Sequence, residues 1–201
     1  MKKLPSMLAL MLWLCLAAPA FAGPLEDGLA AYEQKDYATA LRLWRPFAEQ
    51  GNADAQYNLG VMYDKGKGVP QDYVQAVAWY RKAADRGNAI AQYNLGNRYD
   101  NGKGVPQDYV QAVPWYRKAA DQGYAWGQRN LGVMYTNGQG VPQDYVQAHK
   151  WFNLAAAAGS APEGAENRGK LATENRDIVA AKMTPAQIAE AQRLAAQWKA
   201  R

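Results

Sequence analysis

The chain has 201 residues, of which 49% are apolar, 20% charged and 11% aromatic. That is enough apolar material for one domain or repeat array, and it excludes a disordered chain. One cysteine and one histidine exclude most metal-binding and nucleophilic schemes, and the formal charge of +5 is modest.

Residues 1–22 have the layout of a secretory signal peptide, cleaved after Ala22. Lys2 and Lys3 open it, Met7 to Ala18 is apolar, and Ala20-Phe21-Ala22 is a small-x-small cleavage site. The apolar run falls short of the ~20 residues that span a bilayer. Leu14 precedes Cys15, where a lipoprotein cleavage site needs a small residue. Cleavage would remove Lys2, Lys3 and Cys15, leaving 21 basic and 18 acidic residues and a net charge of +3. That charge does not argue for nucleic acid or an anionic membrane surface. Without cysteine, the mature chain is held by packing alone. The expected location is periplasmic or secreted, with no stable membrane insertion.

Residues 23–52 form a first helix hairpin, expected to cap the N-terminal end. Gly28, Ala31, Tyr37 and Ala40 fall roughly where the later copies have equivalents, and the loop is shorter.

A 36-residue period governs residues 53–160. Ala55-Gln56-Tyr57-Asn58-Leu59-Gly60 recurs at 91–96 and, altered, at 127–132. Gly68-Val69-Pro70-Gln71-Asp72-Tyr73 recurs unchanged at 104–109 and 140–145. The copies are 53–88, 89–124 and 125–160. Each predicts two antiparallel helices. In the first, from about Ala53 to Lys65, Ala55, Leu59 and Tyr63 make one helical stripe. Gly60 inside it implies a close helix approach, because glycine there costs about 1 kcal/mol relative to alanine. The second starts near Asp72, an N-cap, and Gly87 suits a left-handed C-terminus. Pro114 replaces Ala78 and predicts a kink or a late start in its helix. One hairpin cannot bury its apolar face alone; stacked hairpins can.

After Gly159 the period is lost. Residues 161–201 predict a C-terminal cap of two helices, near 163–181 and 185–199. Thr184 and Gln187 make a capping box with Pro185 at the first helical position. Ile188, Ala191, Ala195 and Trp198 form the inward stripe.

The motif Ala55, Leu59, Gly60, Tyr63, Gly66, Gly68, Val69, Asp72, Ala76, Trp79, Tyr80, Lys82, Ala83, Ala84 and Gly87 resembles the Sel-1-like repeat, over roughly 53–159. The resemblance implies an all-α, right-handed α/α superhelical solenoid of tetratricopeptide-like hairpins. It implies a protein–protein adaptor of the bacterial envelope rather than an enzyme. Met183-Thr184-Pro185-Ala186-Gln187-Ile188 resembles the end of many exported bacterial members. Some members serve immunity against toxic effectors, and a cysteine-rich branch is linked to penicillin binding and β-lactam hydrolysis. This chain departs from that branch, since its mature form lacks cysteine.

The residues offer little chemistry. The mature chain keeps one serine, Ser160, and one histidine, His149, placed too far apart along the chain to make a nucleophile–base pair. His149 takes the place of Val77 and Val113 and reads as a tolerated helix residue. Gly66-Lys67-Gly68 lacks the third glycine and the preceding strand of a dinucleotide loop. Asp100-Asn101-Gly102 lacks the closing Glu of a calcium loop, with Gln111 in its place. No cofactor or metal is expected. Arg81-Lys82 and Arg117-Lys118 read as a solvated outer face.

A partner is expected along the first helices, which line the concave face of such a solenoid. Outward positions there change between copies: Asp54, Tyr57, Val61, Asp64 and Lys65; then Ile90, Tyr93, Asn97, Asp100 and Asn101; then Trp126, Arg129, Val133, Thr136 and Asn137. Tyr57, Tyr93, Asn97, Trp126 and Arg129 are the candidate partner-binding residues, since Trp, Tyr and Arg are the usual interface anchors. The alternative for Tyr57 and Tyr93 is packing between repeats, and for Trp126 the filling of space left by Gly127. A protein or peptide partner and a monomeric chain are expected.

Overall fold

The computed structural model describes residues 23–158 and 166–200. The leader 1–22 and Ser160 lie outside them. The described residues hold ten α-helices and no strand: α1 (Pro24–Glu33), α2 (Tyr37–Glu49), α3 (Ala53–Lys65), α4 (Tyr73–Asp85), α5 (Ala89–Asn101), α6 (Tyr109–Asp121), α7 (Ala125–Asn137), α8 (Tyr145–Ala158), α9 (Glu166–Ala180) and α10 (Pro185–Gln197). The first eight pair into four consecutive hairpins, each packed on the next. Both α9 and α10 pack on α8. The architecture is an all-α solenoid of stacked hairpins.

Each boundary has a local cause. The Asn52 and Asn88 side chains accept hydrogen bonds from the amides of Ala55 and Ala91. Asp72 accepts from Val74 and Gln75, and Asp108 from Gln111. Gly66, Gly102 and Gly138 end α3, α5 and α7 at φ of 63°, 65° and 69°, where a side chain would be strained. Thr184 and Gln187 form the capping box ahead of α10.

Two devices repeat along the array. In the first, a helix glycine admits a ring from the second helix of its own hairpin. A Cβ on Gly60 would lie 2.5 Å from the Tyr80 ring, on Gly96 2.8 Å from Tyr116, and on Gly132 2.6 Å from Phe152. Gly28 meets Trp44 in the same way. These rings are essentially buried, so the close approach inferred from Gly60 is present in all four hairpins. In the second, a buried glutamine ties each hairpin to its predecessor. The Gln56, Gln92 and Gln128 amides donate to the carbonyls of Ala48, Ala84 and Ala120, at 2.9, 3.1 and 3.2 Å. Each carbonyl lies in the last turn of a helix, where no intrahelical donor remains.

Pro114 does not delay its helix. α6 begins at Tyr109 and runs unbroken to Asp121, matching α4. The ring is exposed, on the side away from buried Ala112, Val113, Trp115 and Tyr116. The hydrogen bond it removes belongs to the carbonyl of Val110, a residue that is 65% exposed.

Candidate functional site

The candidate row runs along α3, α5 and α7, and its framework is set from beneath. The Tyr57 ring lies 6.1 Å from that of Tyr80, and burial raises its hydroxyl above the ordinary range. The Tyr93 ring lies 6.0 Å from Tyr116 and 5.4 Å from Tyr124. Asn97 donates to the Tyr93 hydroxyl at 3.4 Å, and Asn101 donates to the Asn97 carbonyl at 2.9 Å. Burial raises the Tyr93 hydroxyl above its ordinary range, opposed by the Asn97 hydrogen bond and the Arg129 charge. The Arg129 guanidinium lies 6.0 Å from the Trp126 ring centroid, and its Nε is buried with no acceptor among the described residues. All five are half-buried. Tyr93, Asn97, Trp126 and Arg129 occupy the neighbouring helices α5 and α7, whereas Tyr57 lies one copy away on α3. Tyr57 and Tyr93 thus take part in inter-helix packing and keep an accessible side.

Beside Tyr57 the face dips into a cavity of about 220 Å³, lined by Leu29, Tyr32, Trp44, Tyr57, Asn58 and Val61. At 49% exposure, Leu29 leaves apolar surface at its edge.

Two outward positions differ from the sequence expectation. Asp64 is buried, with 7% of its side chain exposed, and pairs with Arg98 of the next copy at 3.1 Å. Asp100 is half-buried and accepts a 2.9 Å hydrogen bond from Tyr116. It has no ion pair among the described residues. Burial therefore raises its carboxyl above the ordinary range, against the Tyr116 hydrogen bond. The basic pairs also divide. Lys82 and Lys118 are exposed, with their ammonium groups 4.0 and 4.1 Å from the Trp79 and Trp115 centroids. Arg81 and Arg117 instead donate to the hydroxyls of Tyr99 and Tyr135 in the next copy. They join repeats rather than forming a free basic stripe.

His149 is 3% exposed, with Nδ1 unpaired among the described residues. Burial and the Arg176 charge lower its pKa, opposed by Asp177, so it offers no accessible base. Among the described residues, no cluster of His, Cys, Asp or Glu is placed to hold a metal, and no helix is long and apolar enough to cross a membrane.

The roles of Arg98 and the buried glutamines were missed in sequence. The glutamines do carry a signal: Gln56 and Gln92 recur with Gln128 even where Tyr93 becomes Arg129. Arg98 stands where the other copies have Met62 and Met134, a charge in an apolar slot.

Stacked hairpins with a largely repeated core and a varying face define the class: a helical-repeat scaffold. The Sel1 repeat model matches residues 22–52, 53–88, 89–124 and 127–160, and the chain belongs to the Sel1 repeat family. Its first match falls on the α1–α2 hairpin. Members of this family are typically non-enzymatic modules that mediate protein–protein interaction. Among solved structures, the chain resembles a Sel1 repeat protein from Oxalobacter formigenes at 32% identity, over 86% of this chain and 74% of that one, with a TM-score of 0.65. It also resembles a protective antigen of uropathogenic Escherichia coli displaying an SLR fold, at 35% identity and a TM-score of 0.58. That match covers 87% of this chain but 44% of the antigen, so the chain spans less than half of that protein. Helicobacter pylori cysteine rich protein B, at 24% identity, TM-score 0.52, and 68% and 94% coverage of the two chains, shares the fold alone. No curated protein matches the chain.

Proposed function

We propose that the protein is an exported adaptor of the bacterial envelope. It holds a protein or peptide segment along the concave face made by α1, α3, α5 and α7. The observation that carries this reading is the contrast between frame and face. The glycine–ring pairs and the buried glutamines persist from copy to copy. Over them, Tyr57 and Tyr93 give way to Arg129, and Val61 and Val133 flank Asn97. A face that varies over a fixed frame is what one-sided recognition by a solenoid requires. Its rigidity limits the ordering entropy lost on binding. The leader-like residues 1–22 support export.

The test is a pull-down from envelope and culture extracts, with the Trp126→Ala, Arg129→Ala double variant run in parallel. The wild type should retain a specific partner that the variant loses, with helical content unchanged. Equal capture by both would sink this site assignment.

A further inference from the structure

Where the last full copy meets the C-terminal cap, α6, α8 and the end of α10 with the residues after it border an open cavity of about 510 Å³. Arg117, Asp121, Lys150, Trp151, Trp198 and Lys199 line it. Three cations and one acid share this space; Arg117 also holds the Tyr135 hydroxyl through one of its N–H groups, and none of the three cations makes an ion pair among the described residues. The Lys150 ammonium lies 4.4 Å from the Trp151 ring centroid. Burial, then the Arg117 charge, lower the Lys150 pKa from its ordinary value, and Asp121 only partly opposes them. Among the described residues lining the cavity, Asp121 is the one acid beside these three cations.

A second observation is independent of charge. Trp151 is 1% exposed, and its indole Nε1 has no acceptor among the described residues. A buried donor without an acceptor costs about 1–3 kcal/mol, and Trp151 is one of the residues lining the cavity. The sequence departs from its own repeat at the same place: Lys150 stands where the other copies have Ala78 and Pro114. The cap adds Trp198, whose ring meets Trp151 edge-on at 6.4 Å, and Lys199 beside it. Neither has a counterpart in the earlier copies.

We propose that this cavity binds an oxyanion, the carboxylate or phosphate group of a ligand. Lys150 and Arg117 neutralise its charge from α8 and α6, Lys199 adds a third cation from the tail, and the Trp151 ring in the lining reports on its arrival. Guanidinium and ammonium groups are the usual partners of such oxygens. The site lies among the second helices, apart from the row on α3, α5 and α7, and stands or falls separately from it.

The test follows the indole N–H signals of the ¹⁵N-labelled protein by NMR, with Trp151→Phe assigning the Trp151 signal. N-acetylglycine and inorganic phosphate are the two probes, titrated at constant ionic strength. The Trp151 signal should move saturably with at least one, and the more effective probe tells which group the site takes. Lys150→Gln should weaken that binding by about tenfold or more, the loss of one charge-assisted hydrogen bond. Lys82→Gln, which removes the cation over Trp79, should leave it unchanged. Lys199→Gln, outside any helix, gives the same reading should Lys150→Gln disturb the other indole signals. No saturable shift with either probe, or equal binding in the Lys150 and Lys199 variants, would overturn the proposal.

Discussion

Arg98 carries its charge into a slot that Met62 and Met134 fill elsewhere with 0% and 2% exposure. Its guanidinium answers a need created one copy earlier, by Asp64. The charge of that carboxylate also pushes the Tyr80 hydroxyl's pKa further up, beyond the effect of burial. The third copy solves the same geometry without charge, with Thr136 at the acid's position and Phe152 at the ring's. Removing one member of a buried pair costs about 3–5 kcal/mol, because the other charge stays buried and unmatched. Arg98→Met should therefore lower stability by roughly that amount in urea denaturation. Adding Asp64→Thr should restore most of it, since the pair then resembles the uncharged third copy. An Arg98→Met variant as stable as the wild type would show that the ion pair contributes nothing to folding.

At the scale of the helix, the sequence marks the elements well because each has a local cause. Asp72 and Asp108 cap their helices, the Thr184–Gln187 box forms, and the period places the three hairpins of residues 53–160. The late start that Pro114 suggested is absent, because the cost of an interior proline depends on the surroundings of the freed carbonyl, which a local rule does not contain. Here the helix stays whole, yet the missing hydrogen bond remains a cost. Ala78 in the preceding copy shows that alanine fits the same helix position. Pro114→Ala should accordingly raise stability by about 1–3 kcal/mol, seen as a higher Tm. A lower Tm would mean that the proline ring has a packing role in α6.

Across the whole molecule, the copies are joined by contacts that cross the 36-residue period, and these were the hardest to foresee. Gln92 reaches back to Ala84, Arg98 to Asp64, and Arg81 forward to Tyr99. A repeat read one copy at a time shows that such residues recur or deviate, but not which neighbour they meet. For the same reason, the varying row was legible as a list of positions, whereas its division into packed and open sides was not. Asp64 joined the interior, while Tyr93, Asn97 and Arg129 gathered on α5 and α7. Recognition on one face of a rigid stack is the central claim, and site-directed photo-crosslinking tests it most directly. A photoreactive phenylalanine analogue at Tyr93, at Asn97 or at Lys118 on the second-helix face would be exposed to envelope extract and illuminated. The account predicts one common adduct from the Tyr93 and Asn97 positions and none from Lys118. Adducts from Lys118 alone, or from none of the three, would contradict it.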